Sequence, residues 1–230
     1  MQPMRHGYTN DTAGDGEVVV KRYRGPDREL RLAREAGLLR ELRRQLPVAP
    51  VRAAGAGTLT LGFMAGELGQ DLVDAGRATA ALGACGAVLR RIQQVDPVLL
   101  RKVPGMLGAG EDETQQVLVH GDFGPNNLLL DPGTFKVNAV LDWEFAHLGA
   151  PVEDLAWCEW IMRMHHPGQL AALDAFFDAY GHPVPPWPLR RQAMLDKCEA
   201  LRTFCERQEA GGAGARLWQE RAEVTAEWRE

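Results

Sequence analysis

The sequence predicts an α+β fold in two lobes, a small strand-rich one followed by a larger, mostly helical one. Three observations carry this. Strand-like runs with a single helix open the chain, and helical periodicity takes over after Pro151. Charge divides the same way: residues 1–110 hold 16 Lys and Arg against 11 Asp and Glu, whereas residues 111–210 hold 7 against 16. Between the halves lies VLVHGDFGPNNLLLDP (117–132), two apolar runs around a polar core. Such side chains are costly to enclose unless each is partnered or used.

The elements follow in order. EVVVKRY (17–23) is β-branched and reads as a strand. A GPD turn offers Asp27 as an N-cap, and a periodic helix runs from Arg28 to Gln45 and stops at Pro47. VAPVRAAG (48–55) and TLTLGFM (58–64) are two further strands separated by Gly-rich turns. Leu82, Cys85, Val88, Leu89, Ile92 and Val95 place one helix face over 78–95. Residues 100–114, rich in Pro, Gly and acids, read as a surface loop. VLVH, NLLL and KVNAVLD (136–142) are short strands around tight turns. Helical patterns then cover 153–165, 169–180, 188–209 and 215–228. The lobes divide into residues 1–65 and 66–230.

Composition excludes several classes. The chain has 230 residues, 45% of them hydrophobic and 25% charged, an ordinary globular balance. A net charge of −5 argues against a general nucleic-acid binder. There is no apolar run of about 18 residues and no basic-then-apolar leader, so neither a membrane span nor a secretion signal is expected. The four cysteines show no CxxC spacing, and reduced thiols in a cytoplasmic protein are the expectation.

The polar core has its own chemistry. Asp122 follows an apolar strand and precedes a turn with Gly124 and Pro125, so its carboxylate is expected at a strand end facing a cleft. Asn127 opens the next strand, and Asp142 ends the one after it. Antiparallel pairing through the DPGT turn would bring Asn127 and Asp142 close. One amide oxygen and one carboxylate make a hard-oxygen site suited to Mg2+. A separate carboxylate, Asp122, can take a proton from a hydroxyl. A buried Asp–Asn hydrogen-bond network is the structural alternative.

HGDFGPNN followed by VLDWEFAHLGAPVEDLAW resembles the aminoglycoside phosphotransferase family, small-molecule kinases of the protein-kinase-like fold. The pattern H-G-D-x-x-x-x-N, then a strand ending D-x-E, matches at His120, Gly121, Asp122, Asn127, Asp142 and Glu144. A following D-L-A matches at Asp154, Leu155 and Ala156. The resemblance implies ATP and Mg2+ as cofactors and a small-molecule hydroxyl as acceptor, an aminoglycoside-like antibiotic or a hydroxylated metabolite, and the acidic second half would suit a cationic acceptor. It makes Asp122 the catalytic base and Asn127 and Asp142 the metal ligands. It gives His120 a scaffold role and Asp154 a loop-fixing one. It assigns Lys21 to the phosphates with Glu35 as the helix partner, ahead of Glu29 and Glu41. Backbone groups around Phe63 to Ala65 would meet adenine.

One element departs from the family pattern. Only twenty residues precede Lys21, without G-x-G-x-x-G, so HGYTND (6–11) is either a shortened phosphate-covering turn, with Asn10 or backbone amides near the phosphates, or a frayed terminus. A non-catalytic nucleotide-binding module is therefore the alternative function. Trp157 and Trp160 are helix-packing core or the border of a substrate pocket. Walker A and G-x-S-x-G motifs are absent.

Overall fold

A computed structural model of the chain describes residues 2–3, 10–106 and 116–230. Five antiparallel strands form the first sheet: β1 (Gln2–Pro3), β2 (Asn10–Gly14), β3 (Val18–Tyr23), β4 (Val51–Gly55) and β5 (Thr58–Gly62), in spatial order β1-β2-β3-β5-β4. In β3 the alternation of a strand buries Lys21 and Tyr23 on one face and exposes Arg22 on the other. Helix α1 (Arg28–Leu42) packs on that sheet through Leu32, Ala36, Leu38, Leu39 and Leu42. The same face carries Arg31 and Glu35 into the interior. The helix stops at Leu42, short of Gln45, where Gln45 and Leu46 amides turn back onto the Leu42 carbonyl. Asp27 occupies the N-cap, but its side chain makes no capping bond: the residue is left-handed (φ 54), and its carboxylate instead accepts from Arg207 at 2.8 Å.

The chain continues through β6 (Glu67–Leu68), α2 (Gly69–Asp74) and α3 (Ala78–Gln93). Then come β7 (Val117–Val119), β8 (Leu128–Leu130), β9 (Val137–Val140) and β10 (His147–Gly149). Strand β8 pairs antiparallel with both β6 and β9, and β10 pairs with β7. The helices α4 (Val152–His165), α5 (Leu173–Tyr180), α6 (Trp187–Gln208) and α7 (Ala213–Ala226) complete the chain. Helices α3 and α5 approach closely at Gly86, where a Cβ would lie 2.1 Å from the Phe176 carbonyl oxygen. Among the described residues no helix is long and apolar enough to cross a membrane, and all four cysteines are free.

Several segments differ from the sequence reading. TLTLGFM is strand only to Gly62, VLVH only to Val119 and KVNAVLD only to Val140. Strands β2 and β10 and helix α2 had no clear periodic signal, being too short to show one. The HGYTND segment divides: residues 6–9 lie outside the described residues, while Asn10 and Asp11 open β2, paired with Tyr23 and Arg22. The loop at 100–114 starts in a 3-10 turn over Pro97–Leu100, and its residues 107–114 also lie outside the described set.

Candidate active site

The HGD loop follows β7. At Gly121 the backbone takes φ 80, and a Cβ there would lie 2.4 Å from the Phe145 carbonyl oxygen, so only glycine fits. Asp154, fully buried in the first turn of α4, accepts from the amides of His120 (2.6 Å) and Gly121 (3.0 Å). One side chain thereby ties the loop to a helix. Burial raises the Asp154 carboxyl to about 6, against the pull of those two amides. His120 Nδ1 accepts from the Asp122 amide at 3.2 Å, so its Nε2 proton donates to the Leu141 carbonyl at 2.7 Å. Burial pushes the imidazole down to about 4, so it stays neutral and keeps that tautomer.

Asp122 is half-buried, with each carboxylate oxygen partnered. Oδ1 accepts from Trp157 Nε1 at 2.9 Å and Oδ2 from Asn127 Nδ2 at 3.0 Å; Asn127 Nδ2 also donates to the Asp122 carbonyl at 2.7 Å. Asp154 and Trp157 are three apart on α4, one face of the helix, so α4 fixes both the loop backbone and its carboxylate. Desolvation raises Asp122 to about 6, which Lys197 and the two hydrogen bonds only partly offset. The group is ionised near pH 7 yet basic enough to accept a proton.

Strand β9 ends as the Leu141 amide donates to the Asn127 carbonyl at 2.9 Å, which brings the backbones of Asn127 and the DWE segment side by side. Asp142 then turns into the left-handed region (φ 65, ψ 56) rather than finishing the strand. Asp tolerates that conformation better than most residues, and such strain concentrates at functional sites. Its carboxylate meets Lys21 Nζ, which also donates to Glu35 Oε2 at 2.6 Å. Tyr23 donates its hydroxyl to Glu35, while Glu29 and Glu41 are exposed on α1. Burial alone would depress Lys21, but Asp142, Glu35 and Glu144 hold it well above its ordinary value. Burial likewise pushes Asp142 up, and Lys21 more than reverses this, leaving it below the usual carboxylate range.

Glu144 is completely buried, and sequence reasoning gave it no partner. Its oxygens accept from Asn10 Nδ2 (3.0 and 2.8 Å) and from Arg31 Nη1 (2.6 Å), with Lys21 Nζ at 3.9 Å. Asn10 is thus held by a buried carboxylate. Arg34 adds a bond to the Glu144 carbonyl at 3.0 Å. This network ties β2, β3 and α1 to the DWE turn. Removing a cation from a buried pair is costly, so Arg31→Met should destabilise the fold by about 3 kcal/mol, read by denaturant unfolding. A loss below about 0.5 kcal/mol, the surface-substitution range, would mean that the network does not join these elements.

Oxygens of Glu35, Asp142 and Glu144 lie within 4.8 Å of one another, a hard donor set of the kind that suits Mg2+. Glu35 and Glu144 are committed to the cations just described, whereas the Asp142 side chain keeps 29% of its exposure. Asp142 and the Asn127 amide oxygen, whose nitrogen serves Asp122, are the two donors the sequence singled out for a metal. At the link after β5, the Phe63 amide donates to the Glu17 carbonyl (2.9 Å) and the Ala65 carbonyl accepts from Asn138 (3.0 Å). An adenine reading of this link therefore rests on the Phe63 carbonyl and the Met64 and Ala65 amides.

The molecule's likenesses bear on its fold and its family. The structure resembles macrolide 2'-phosphotransferase MphH from Brachybacterium faecium, with a TM-score of 0.64 at 20% identity, covering 100% of this chain and 92% of that one. It also resembles the GDP complex of aminoglycoside 2'-phosphotransferase-IIIa, with a TM-score of 0.72 at 10% identity over 97% and 91% of the two chains. A thermostable mutant of aminoglycoside phosphotransferase APH(4)-Ia, in ternary complex with AMP-PNP and hygromycin B, gives 0.64 at 16% identity, over 97% and 92%. At these identities the likeness establishes the fold, which is the α+β kinase-like one. Among curated proteins, human acyl-CoA dehydrogenase family member 11 is 35% identical over 65 residues, 28% of this chain but 8% of that protein. Mouse family member 10 is 47% identical over 66 residues, 29% of this chain and 6% of that one. The model of the phosphotransferase enzyme family matches residues 1–105 and 98–194, and the chain belongs to that family.

Proposed function

We propose that the protein transfers the γ-phosphoryl group of ATP to a hydroxyl of a small molecule, with residues 1–65 as the nucleotide lobe and 66–230 as the acceptor lobe. The observation that carries this reading is Asp122: a half-buried carboxylate held at both oxygens by Trp157 and Asn127 and close enough to Asp142 to be raised by it, while Asp142 in turn meets the lysine that pairs with Glu35. Phosphoryl transfer requires alignment and charge neutralisation more than covalent chemistry. Lys21, steadied by Glu35 and Tyr23, fixes the phosphates. Asp142 and Asn127 hold Mg2+, which neutralises charge on the phosphate oxygens when bound. Asp122 orients the acceptor hydroxyl and takes its proton. Support comes from family membership and from relatives solved with GDP, AMP-PNP and aminoglycosides. A cytoplasmic setting, with ATP at hand, suits the four free thiols.

An ATP-consumption screen over aminoglycosides, macrolides and hydroxylated metabolites tests the reading. At least one acceptor should raise consumption above the acceptor-free rate, and a flat response across hydroxyl compounds would favour the non-catalytic binder. The clamp has its own test. Lys21→Ala and Glu35→Ala should each lower turnover, and the double mutant should lose less than the two combined, because the groups act as one unit. Fully additive losses would separate Glu35 from the phosphate function of Lys21.

A further inference from the structure

Lys197 stands on α6, far in sequence from the HGD loop, yet its ammonium donates to the Gly121 carbonyl, next to Asp122. It lies 5.4 Å from the Phe145 ring centre and 5.7 Å from that of Trp157, the residue that also holds Asp122. No described carboxylate comes within ion-pair distance of it. Lys21 is the opposite case, in direct contact with Glu35 and Asp142. An ammonium has three donors, and a partly desolvated one with a single carbonyl partner is costly without an anion. That cost shows in its acidity, since desolvation lowers Lys197 below the ordinary lysine value.

The two lysines also take different neighbours. Lys21 reaches the DWE turn from β3, while Lys197 reaches the HGD loop from α6 with the aromatic rings of Trp157 and Phe145, so Asp122 has a cation on its α6 side. Three acids of the second half, Asp122, Asp154 and Glu153, lie near enough to act on Lys197, but the acids of this region are engaged by other donors, Asp122 by Trp157 and Asn127. Glu159 is bound by Arg163 and Arg190, Glu153 by His147, Glu199 by Arg202, and Asp154 by the two loop amides.

We propose that Lys197 makes the acceptor subsite anion-selective: the hydroxyl compound that Asp122 orients carries a carboxylate or a phosphate ester that pairs with the Lys197 ammonium. This rests on the phosphotransferase reading above. The geometry disfavours a polycationic acceptor, which would bring like charge against Lys197.

The test is a calorimetric titration of protein saturated with AMP-PNP and Mg2+, using glycerol, glycerate, glycerol 3-phosphate and kanamycin. Glycerate or glycerol 3-phosphate should bind saturably, while glycerol at the same concentration and kanamycin should not. The choice between the two anions separates carboxylate from phosphate. Lys197→Gln should weaken the anion by about 30-fold or more, and Lys197→Arg, which keeps the charge, by less than about threefold. Lys197→Met is the second uncharged variant, and AMP-PNP binding reports that each variant is folded. Saturable kanamycin binding that tightens in Lys197→Gln would overturn the proposal. So would anion binding indifferent to the substitution, or no anion binding to the wild type. If AMP-PNP with Mg2+ itself fails to bind the wild type, the phosphotransferase reading falls and this inference with it.

Discussion

Replacing Asp122 with Asn is expected to cut phosphoryl transfer to an identified acceptor by about 10²-fold or more, the scale of general-base assistance. The nucleotide dissociation constant should change by less than about threefold, under 1 kcal/mol. Asn keeps the size and one acceptor for Trp157 Nε1 but cannot take a proton. A loose, metaphosphate-like transition state asks little of nucleophile strength, yet the hydroxyl must still be aligned. Steady-state turnover and nucleotide titration of the same preparation check both halves. Full activity in the mutant would make the carboxylate structural.

The acidity of Asp122 gives the same prediction a pH dependence. Burial raises its carboxyl from 3.8 to about 6, so the base is ionised only above that value and turnover should rise through about pH 6. For stability the sign is opposite. The folded chain holds this proton more tightly than the unfolded chain, so ionisation takes stability away as pH climbs from 3.8 to about 6. Asn at this position escapes that loss. The stability of Asp122→Asn relative to wild type should therefore increase over that interval, measured by denaturant unfolding at each pH.

The second large effect belongs to Asp142. Asp142→Asn should weaken nucleotide binding in Mg2+ by at least about tenfold, and should do far less in EDTA. Its charge would be removed from both the metal and Lys21, while Glu35 still pairs with that lysine at 2.6 Å and preserves the local fold. Fluorescent-nucleotide titration of wild type and mutant, with Mg2+ and with EDTA, gives the comparison. Equal affinity in all four conditions would remove the metal assignment to Asp142 and Asn127.

What the sequence made legible was local or came as a strict motif. The α+β class followed from strand and helix periods, and the family resemblance from HGDFGPNN with DWE. Contact between Lys21 and Glu35 was legible only through the family resemblance; its physical basis is that strand alternation buries one and the α1 face buries the other. Boundaries were less legible: Asp142 belongs to a left-handed turn because a backbone bond to Asn127 ends β9 two residues before it. Apart from Asp154, whose hold on the HGD loop came with the resemblance, the long-range partners were not legible. Asn10 and Glu144 are 134 positions apart, Trp157 and Asp122 35, and Lys197 and Gly121 76. Each of these pairs depends on how helices and strands pack, which no local pattern encodes. Glu144 carried the one available hint, an acid in the D-x-E pattern just after an apolar strand, where burial demands a cation.

The most direct measurement follows the phosphate itself. Protein with Mg2+ and γ-labelled ATP is incubated with hydroxyl compounds, and the label is traced by chromatography and mass spectrometry in wild type and in Asp122→Asn. Transfer of the label to an organic hydroxyl by wild type, reduced by about 10²-fold in a mutant that still binds ATP, is the predicted result. Wild type that binds ATP with Mg2+ but leaves all label on the nucleotide or releases it only as orthophosphate, whatever hydroxyl is supplied, would contradict phosphoryl transfer and leave a nucleotide-binding module.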